Sequence, residues 1–148
     1  MSYNDGVKKI IIFAGIIVVV FLFFNGKTDE NQPNILKVGE ISLNIEVADT
    51  DAERTQGLSG REGLEEGSGL LFVFEREGYY GFWMKDMNFP IDIAWIDKNK
   101  KVTHIEAGVS PETYPKIFNP EIKNLYVLEL PAGFLVKNNI QIGDFVDF

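Results

Sequence analysis

The chain has 148 residues, 45% of them hydrophobic and 24% charged, with a net charge of −8 and no cysteine. Those proportions belong to a globular protein and exclude disorder of the whole chain. The missing cysteines exclude disulfide scaffolds, thiolate metal sites and cysteine nucleophiles.

The N-terminal region is the most distinctive segment. Ile10 to Phe24 is fifteen residues without a polar side chain. As a helix it covers about 22 Å of a ~30 Å hydrocarbon core. Lys8 and Lys9 can snorkel at one end and Asn25-Gly26 can sit at the other interface. A cleaved signal peptide of this length needs small residues before the cut, and no A-x-A pattern follows the run. The expectation is a retained single transmembrane helix over 10–26, with residues 1–9 a short cytoplasmic N-terminus set by Lys8-Lys9. The rest then faces out of the cytoplasm, and the membrane is a partner through that helix. Lys8, Lys9 and Asp5 precede the run, leaving 12 basic and 21 acidic residues after Phe24, a net −9. A surface that acidic repels phosphates, so no nucleic-acid partner is expected. Lys27 to Asn34 is polar and reads as a linker.

From Ile35 to Phe148 the pattern is mostly strands. Ile41 to Val47 alternates apolar and polar residues, predicting a half-buried strand that can pair with Ile35 to Val38. Thr50-Asp51-Ala52-Glu53 fits a capping box, and Gly57 suits the end of a short helix over Asp51 to Gln56. Leu70 to Phe74 is a brief apolar run and predicts a strand buried on both faces. Tyr79 to Lys85, Ile91 to Asp97, Lys101 to Ala107, Leu125 to Leu130 and Ile140 to Phe148 complete the predicted strands. Ala132 to Asn138 allows a further helical turn or two. The expected fold is mainly β: an antiparallel sandwich or barrel-like domain with one or two short helices.

Several stretches stand in one order: Arg54 with Gly57-Leu58, Gly69 to Phe74, Phe82-Trp83-Met84-Lys85, Pro90 to Ile93 through Asp97, Tyr126 to Leu130 with Ala132-Gly133, and Gly143-Asp144. Together they resemble the DUF192 (UPF0127) family from about Val38 to the C-terminus. The resemblance implies a mainly β sandwich with a short helix, often behind a signal sequence or anchor, and implies no established activity. Many members continue the lysine with Asn-Thr, whereas this chain has Asp86-Met87.

The candidate ligand-binding residues are Trp83, Lys85, Asp92, Arg54 and Glu129. Residues two apart in a strand share a face, so Trp83 and Lys85 are expected together. A hairpin through Asp86 to Pro90 would bring Asp92 beside Lys85. Glu129 interrupts an apolar strand, and a charge there must be paired or face a cleft, with Arg54 a candidate partner for it or for Asp92. The functional reading is an aromatic platform with charges for a small polar or saccharide-like ligand. The bland reading is a buried ion-pair network that fixes the fold. A hydrolase using Asp92 and Glu129 as a carboxylate pair is a second possibility, and a domain that docks another envelope protein a third. No motif names a reaction, no nucleotide loop is present, and neither cofactor nor metal is expected. His104, the only histidine, suits a hydrogen-bonded strand position better than a zinc site.

Overall fold

The computed structural model describes residues 34–148, so the expected anchor over 10–26 and nearly all of the linker lie outside the described residues. Seven strands form one sheet: β1 (Asn34–Val38), β2 (Ile41–Ala48), β3 (Ser68–Gly78), β4 (Ile91–Ile96), β5 (Val102–Val109), β6 (Asn124–Pro131) and β7 (Val146–Asp147). Their spatial order is β5-β4-β6-β3-β2-β1-β7, antiparallel except between β2 and β3. Parallel neighbours need a crossover, and helix α1 (Asp51–Gln56) lies within it. The fold is mainly β, as expected. It is a single curled sheet, however, rather than two sheets packed face to face. β7 returns toward the β4–β5 turn: Phe145 pairs with Lys101, and the Val146 amide donates to the Lys100 carbonyl at 2.8 Å.

Both faces of the middle strands are buried, each for its own reason. On one face Leu71, Ala94, Ile96, Leu128 and Leu130 pack with Leu36, Leu43 and α2 (Phe134–Lys137). On the other, Leu70, Phe72, Ile93, Trp95 and Val127 pack with Leu58, Met84 and Phe118. β2, nearer the edge, keeps the alternation read from its sequence, with Leu43 and Ile45 buried and Ser42, Asn44 and Glu46 exposed.

Two predicted strands contract. Tyr79 to Lys85 makes only an isolated bridge, Phe82 to Phe118. β4 has no edge left for it, because β5 takes one side through the short turn at Asp97–Lys100 and β6 takes the other. Ile140 to Phe148 is a strand only at Val146–Asp147, after a loop in which Gly143 has φ 100°. Among the described residues no helix is long and apolar enough to cross a membrane.

Candidate functional site

The capping box forms as read. The Glu53 amide donates to Thr50 Oγ1 at 3.3 Å and the Thr50 amide to Glu53 Oε2 at 3.0 Å. Gly57 then turns the chain at φ 49°, and a Cβ there would stand 3.2 Å from the Phe72 ring. This close approach sets α1 and Leu58 against β3 and leaves a cleft of about 260 Å³. Arg54 and Ser59 line one side, Phe72 and Phe74 of β3 another, and the 79–83 segment with Met87 a third; Glu129 also borders it.

Glu129 lies in β6 opposite Leu70 and Ile93, inside the apolar face. It is 6% exposed, and its Oε2 is the buried side-chain oxygen or nitrogen without a hydrogen-bond partner among the described residues. Burial pushes its carboxyl up to about 8, because the charged form loses water, and the Arg61 charge offsets this only in part. Arg61 is already held by Glu46 in a two-pronged pair at 2.6 and 2.9 Å, which holds the Glu46 carboxyl below its ordinary range.

Arg54 borders the same cleft but does not pair with Glu129 or Asp92. Its Nη1 donates to the Val73 carbonyl at 2.8 Å and to the Asp49 carbonyl, and its Nη2 meets Asp51 at 2.5 Å. Its guanidinium sits over the Phe74 ring at 5.5 Å, and the Tyr80 ring stacks on Phe74 at 3.5 Å. Trp95 Nε1 donates to the Tyr80 carbonyl at 2.7 Å and pins the segment that carries Trp83. Trp83 is 50% exposed beside the cleft, near Tyr114, while its neighbour Met84 is buried in the core.

The structure thus brings Arg54, Trp83 and Glu129 to one cleft and places Lys85 and Asp92 elsewhere. Lys85 is outside the lining, its side chain 51% exposed and its Nζ 3.4 Å from Asp86. The expected shared face for Trp83 and Lys85 fails because 79–85 is not a strand. Asp92 is fully buried and points to the other side of the sheet, opposite Leu130. Its Oδ1 accepts from the amides of Gly108 at 2.7 Å and Gly133 at 3.0 Å, and its Oδ2 from Leu135 at 2.9 Å. The register between β4 and β5 shifts there, and Gly108 has φ 63°, as at a β-bulge. Asp92 therefore ties β4, β5 and the start of α2 together. As a carboxylate pair, Asp92 and Glu129 fail geometrically, since they flank opposite faces of one sheet.

The sequence places Tyr79, Tyr80 and Phe82 in a predicted strand and does not assign them to a cleft. Nor does it mark Phe74 or Arg61, whose placement depends on β3 and on the crossover that precedes it. A larger groove of about 650 Å³, lined by Lys37, Glu40, Asn139, Asp144 and Phe145, holds no buried charge. Among the described residues no cluster of three His, Asp or Glu side chains is arranged to hold a metal.

These positions predict small stability effects at two of the candidates. Lys85→Met is expected to change stability by less than about 0.5 kcal/mol, since its ion pair is exposed. Trp83→Leu is expected to cost about 1 kcal/mol or less for a half-exposed ring. Urea midpoints check both, and a loss of about 3 kcal/mol at either position would make it part of the core.

Two crystal structures are similar to the chain. One is a protein of unknown function from Novosphingobium aromaticivorans DSM 12444, 26% identical, with a TM-score of 0.74 over 82% of this chain and 90% of that one. The other is a candidate transcription regulator from Sinorhizobium meliloti 1021, 27% identical, with a TM-score of 0.71 over 76% of this chain and 89% of that one. Among curated proteins none matches significantly. The profile of DUF192, described as Uncharacterized ACR, COG1430, matches residues 34–148. With that match over most of its length, the chain belongs to the DUF192 family.

Proposed function

We propose that the protein is a membrane-anchored, extracytoplasmic binding domain that holds a small polar ligand in the cleft between α1, β3 and the 79–83 segment. The observation that carries this reading is Glu129: a carboxyl with a buried, unpartnered oxygen bordering a cleft that also has Trp83 on its rim. Nearly all buried polar groups in folded proteins are hydrogen-bonded, so an unsatisfied one beside a cavity supports a role for what enters it. The volume, about 260 Å³, is below the roughly 300–1,000 Å³ of drug-sized sites and suits one small molecule or one sugar ring. The tether and the compartment rest on the apolar run from Ile10 to Phe24 behind Lys8-Lys9.

A second reading has its own support. Trp83, Tyr114 and Ile117 are large, exposed and apolar, and Trp83 and Tyr114 lie 5.8 Å apart, so the rim can also serve a protein partner of the cell envelope.

Tryptophan fluorescence of the full-length protein in detergent micelles tests the first reading. Trp95 is fully buried and Trp83 half exposed, so a ligand in the cleft shifts the Trp83 emission. A saturable shift with a member of a panel of sugars and small polar molecules, lost in Trp83→Leu, is expected. A panel without any saturable response contradicts it. Mass spectrometry of the membrane-extracted protein tests the tether. An N-terminus preceding Ile10 is expected, and one between Asn25 and Asn34 contradicts it.

A further inference from the structure

Resting on the reading of the cleft as a ligand site, we infer that its ligand class is a small free organic ammonium ion, seated against Glu129 among the aromatic rings. The polar side chains of the cleft decide between a cation and a neutral molecule. Gln56 Nε2 already donates to the Ser59 carbonyl at 2.7 Å, and Ser59 Oγ to the Lys85 carbonyl at 2.9 Å. Arg54 is committed to Asp49, Val73 and Asp51. The buried polar atom left over is Glu129 Oε2, an acceptor alone once its carboxyl is ionised, while the Tyr79 hydroxyl stands on the exposed rim. A sugar ring presents several hydroxyls that need both donors and acceptors. An ammonium N–H needs an acceptor alone, and its alkyl groups need the faces and edges of rings. Phe72, Phe74, Tyr79, Tyr80, Phe82 and Trp83 supply those around the cleft.

The charge balance agrees. Four titratable or charged side chains stand near Glu129 or in the cleft wall: Arg54, Arg61, Tyr79 and Tyr80. Arg54 is paired with Asp51 and Arg61 with Glu46, so neither arginine is dedicated to Glu129. Empty, the site keeps a proton on Glu129, whose carboxyl lies near 8. A cation entering takes the place of that proton, and the carboxylate becomes one half of a desolvated ion pair. Binding then releases a proton at neutral pH and weakens as the pH falls.

Calorimetry on the full-length protein in micelles, at constant ionic strength, tests this with trimethylammonium chloride, its uncharged isostere tert-butanol, and methyl glucoside. Saturable trimethylammonium binding, about 50-fold weaker at pH 6 than at pH 8 and lost in Glu129→Gln, is the expected result. The variant's urea midpoint shows that it is folded. Equal binding of tert-butanol, or trimethylammonium binding unchanged in Glu129→Gln, overturns the inference. Binding of methyl glucoside without the cation overturns the ammonium assignment and keeps the cleft as a ligand site. No binding of any of the three overturns the ammonium assignment and counts against the cleft reading as well.

Discussion

Asp92→Ala is expected to destabilise the protein by about 4–5 kcal/mol. The carboxylate accepts three backbone amides, from Gly108, Gly133 and Leu135, in a position with no exposure to water. Each such bond to a charged group contributes about 1.5–3 kcal/mol, and alanine leaves three donors short of an acceptor. Part of that loss is recovered by local opening of the β5 bulge and the first turn of α2, which keeps the total below the simple sum. In a domain of this size the melting temperature should fall by on the order of 20 °C. Asp92→Asn should fall in between, because one amide oxygen still accepts while its NH₂ faces an N–H. Thermal melts of both variants check the order. A near wild-type melt for Asp92→Ala would mean that the three amides have other partners and that Asp92 is not a staple.

Glu129 predicts the opposite kind of effect, one that depends on pH. Its carboxyl lies near 8 in the folded protein, above the ordinary value of 4.5. Below pH 4.5 it is protonated in both the folded and the unfolded chain and leaves stability unchanged. As the pH rises from 4.5 to 8 the unfolded chain ionises first, and the folded state loses stability by up to about 1.4 kcal/mol per pH unit. Above pH 8 the loss levels off at about 5 kcal/mol. Glu129→Gln removes the titration and nearly keeps the shape. It should match the wild type within about 1 kcal/mol at pH 5 and exceed it by several kcal/mol at pH 9. Denaturant midpoints across that range decide it. Parallel pH curves for the two proteins would contradict burial of an unpaired carboxyl.

The contrast between these two acids shows where the sequence is informative. Both are carboxylates in apolar strands, and reading along the chain flags both as needing partners. Chain order alone does not show that Asp92 finds three amides, because one comes from a β-bulge, one from the residue before α2 and one from its first turn, and bulges follow from the register of strands far apart in sequence. Local features are legible: the Thr50–Glu53 capping box, the turn at Gly57, the alternation of Ile41 to Val47, the two-faced burial of the Leu70–Phe72 run. Features set by competition are not. Phe82 to Lys85 has strand-like composition, yet β4 is saturated by β5 and β6, so the segment stays as a connection and carries Trp83 to the cleft while Lys85 turns to solvent. The parallel pairing of β2 with β3 is equally hidden, since the alternation of a strand does not specify the direction of its neighbour.

That competition also shapes the candidate site. Glu129 is held among apolar strands by the rigid middle of the sheet, while Trp83, Tyr79 and Tyr80 come from a segment pinned to it through the Tyr80 carbonyl and the Phe82–Phe118 bridge. A rigid floor and a connecting rim suit a binding site, where function is commonly carried by loops set on a scaffold.

Carboxyl NMR of full-length protein carrying ¹³C-labelled glutamate side chains measures the state of Glu129 most directly, with Glu129→Gln giving the assignment. One glutamate resonance that titrates near pH 8 and is absent from the variant is the expected result. Titration of every glutamate at or below about 4.5 would contradict a buried, unpaired Glu129, which would then be an ordinary solvated or paired carboxylate and leave the cleft without a group for a ligand to satisfy.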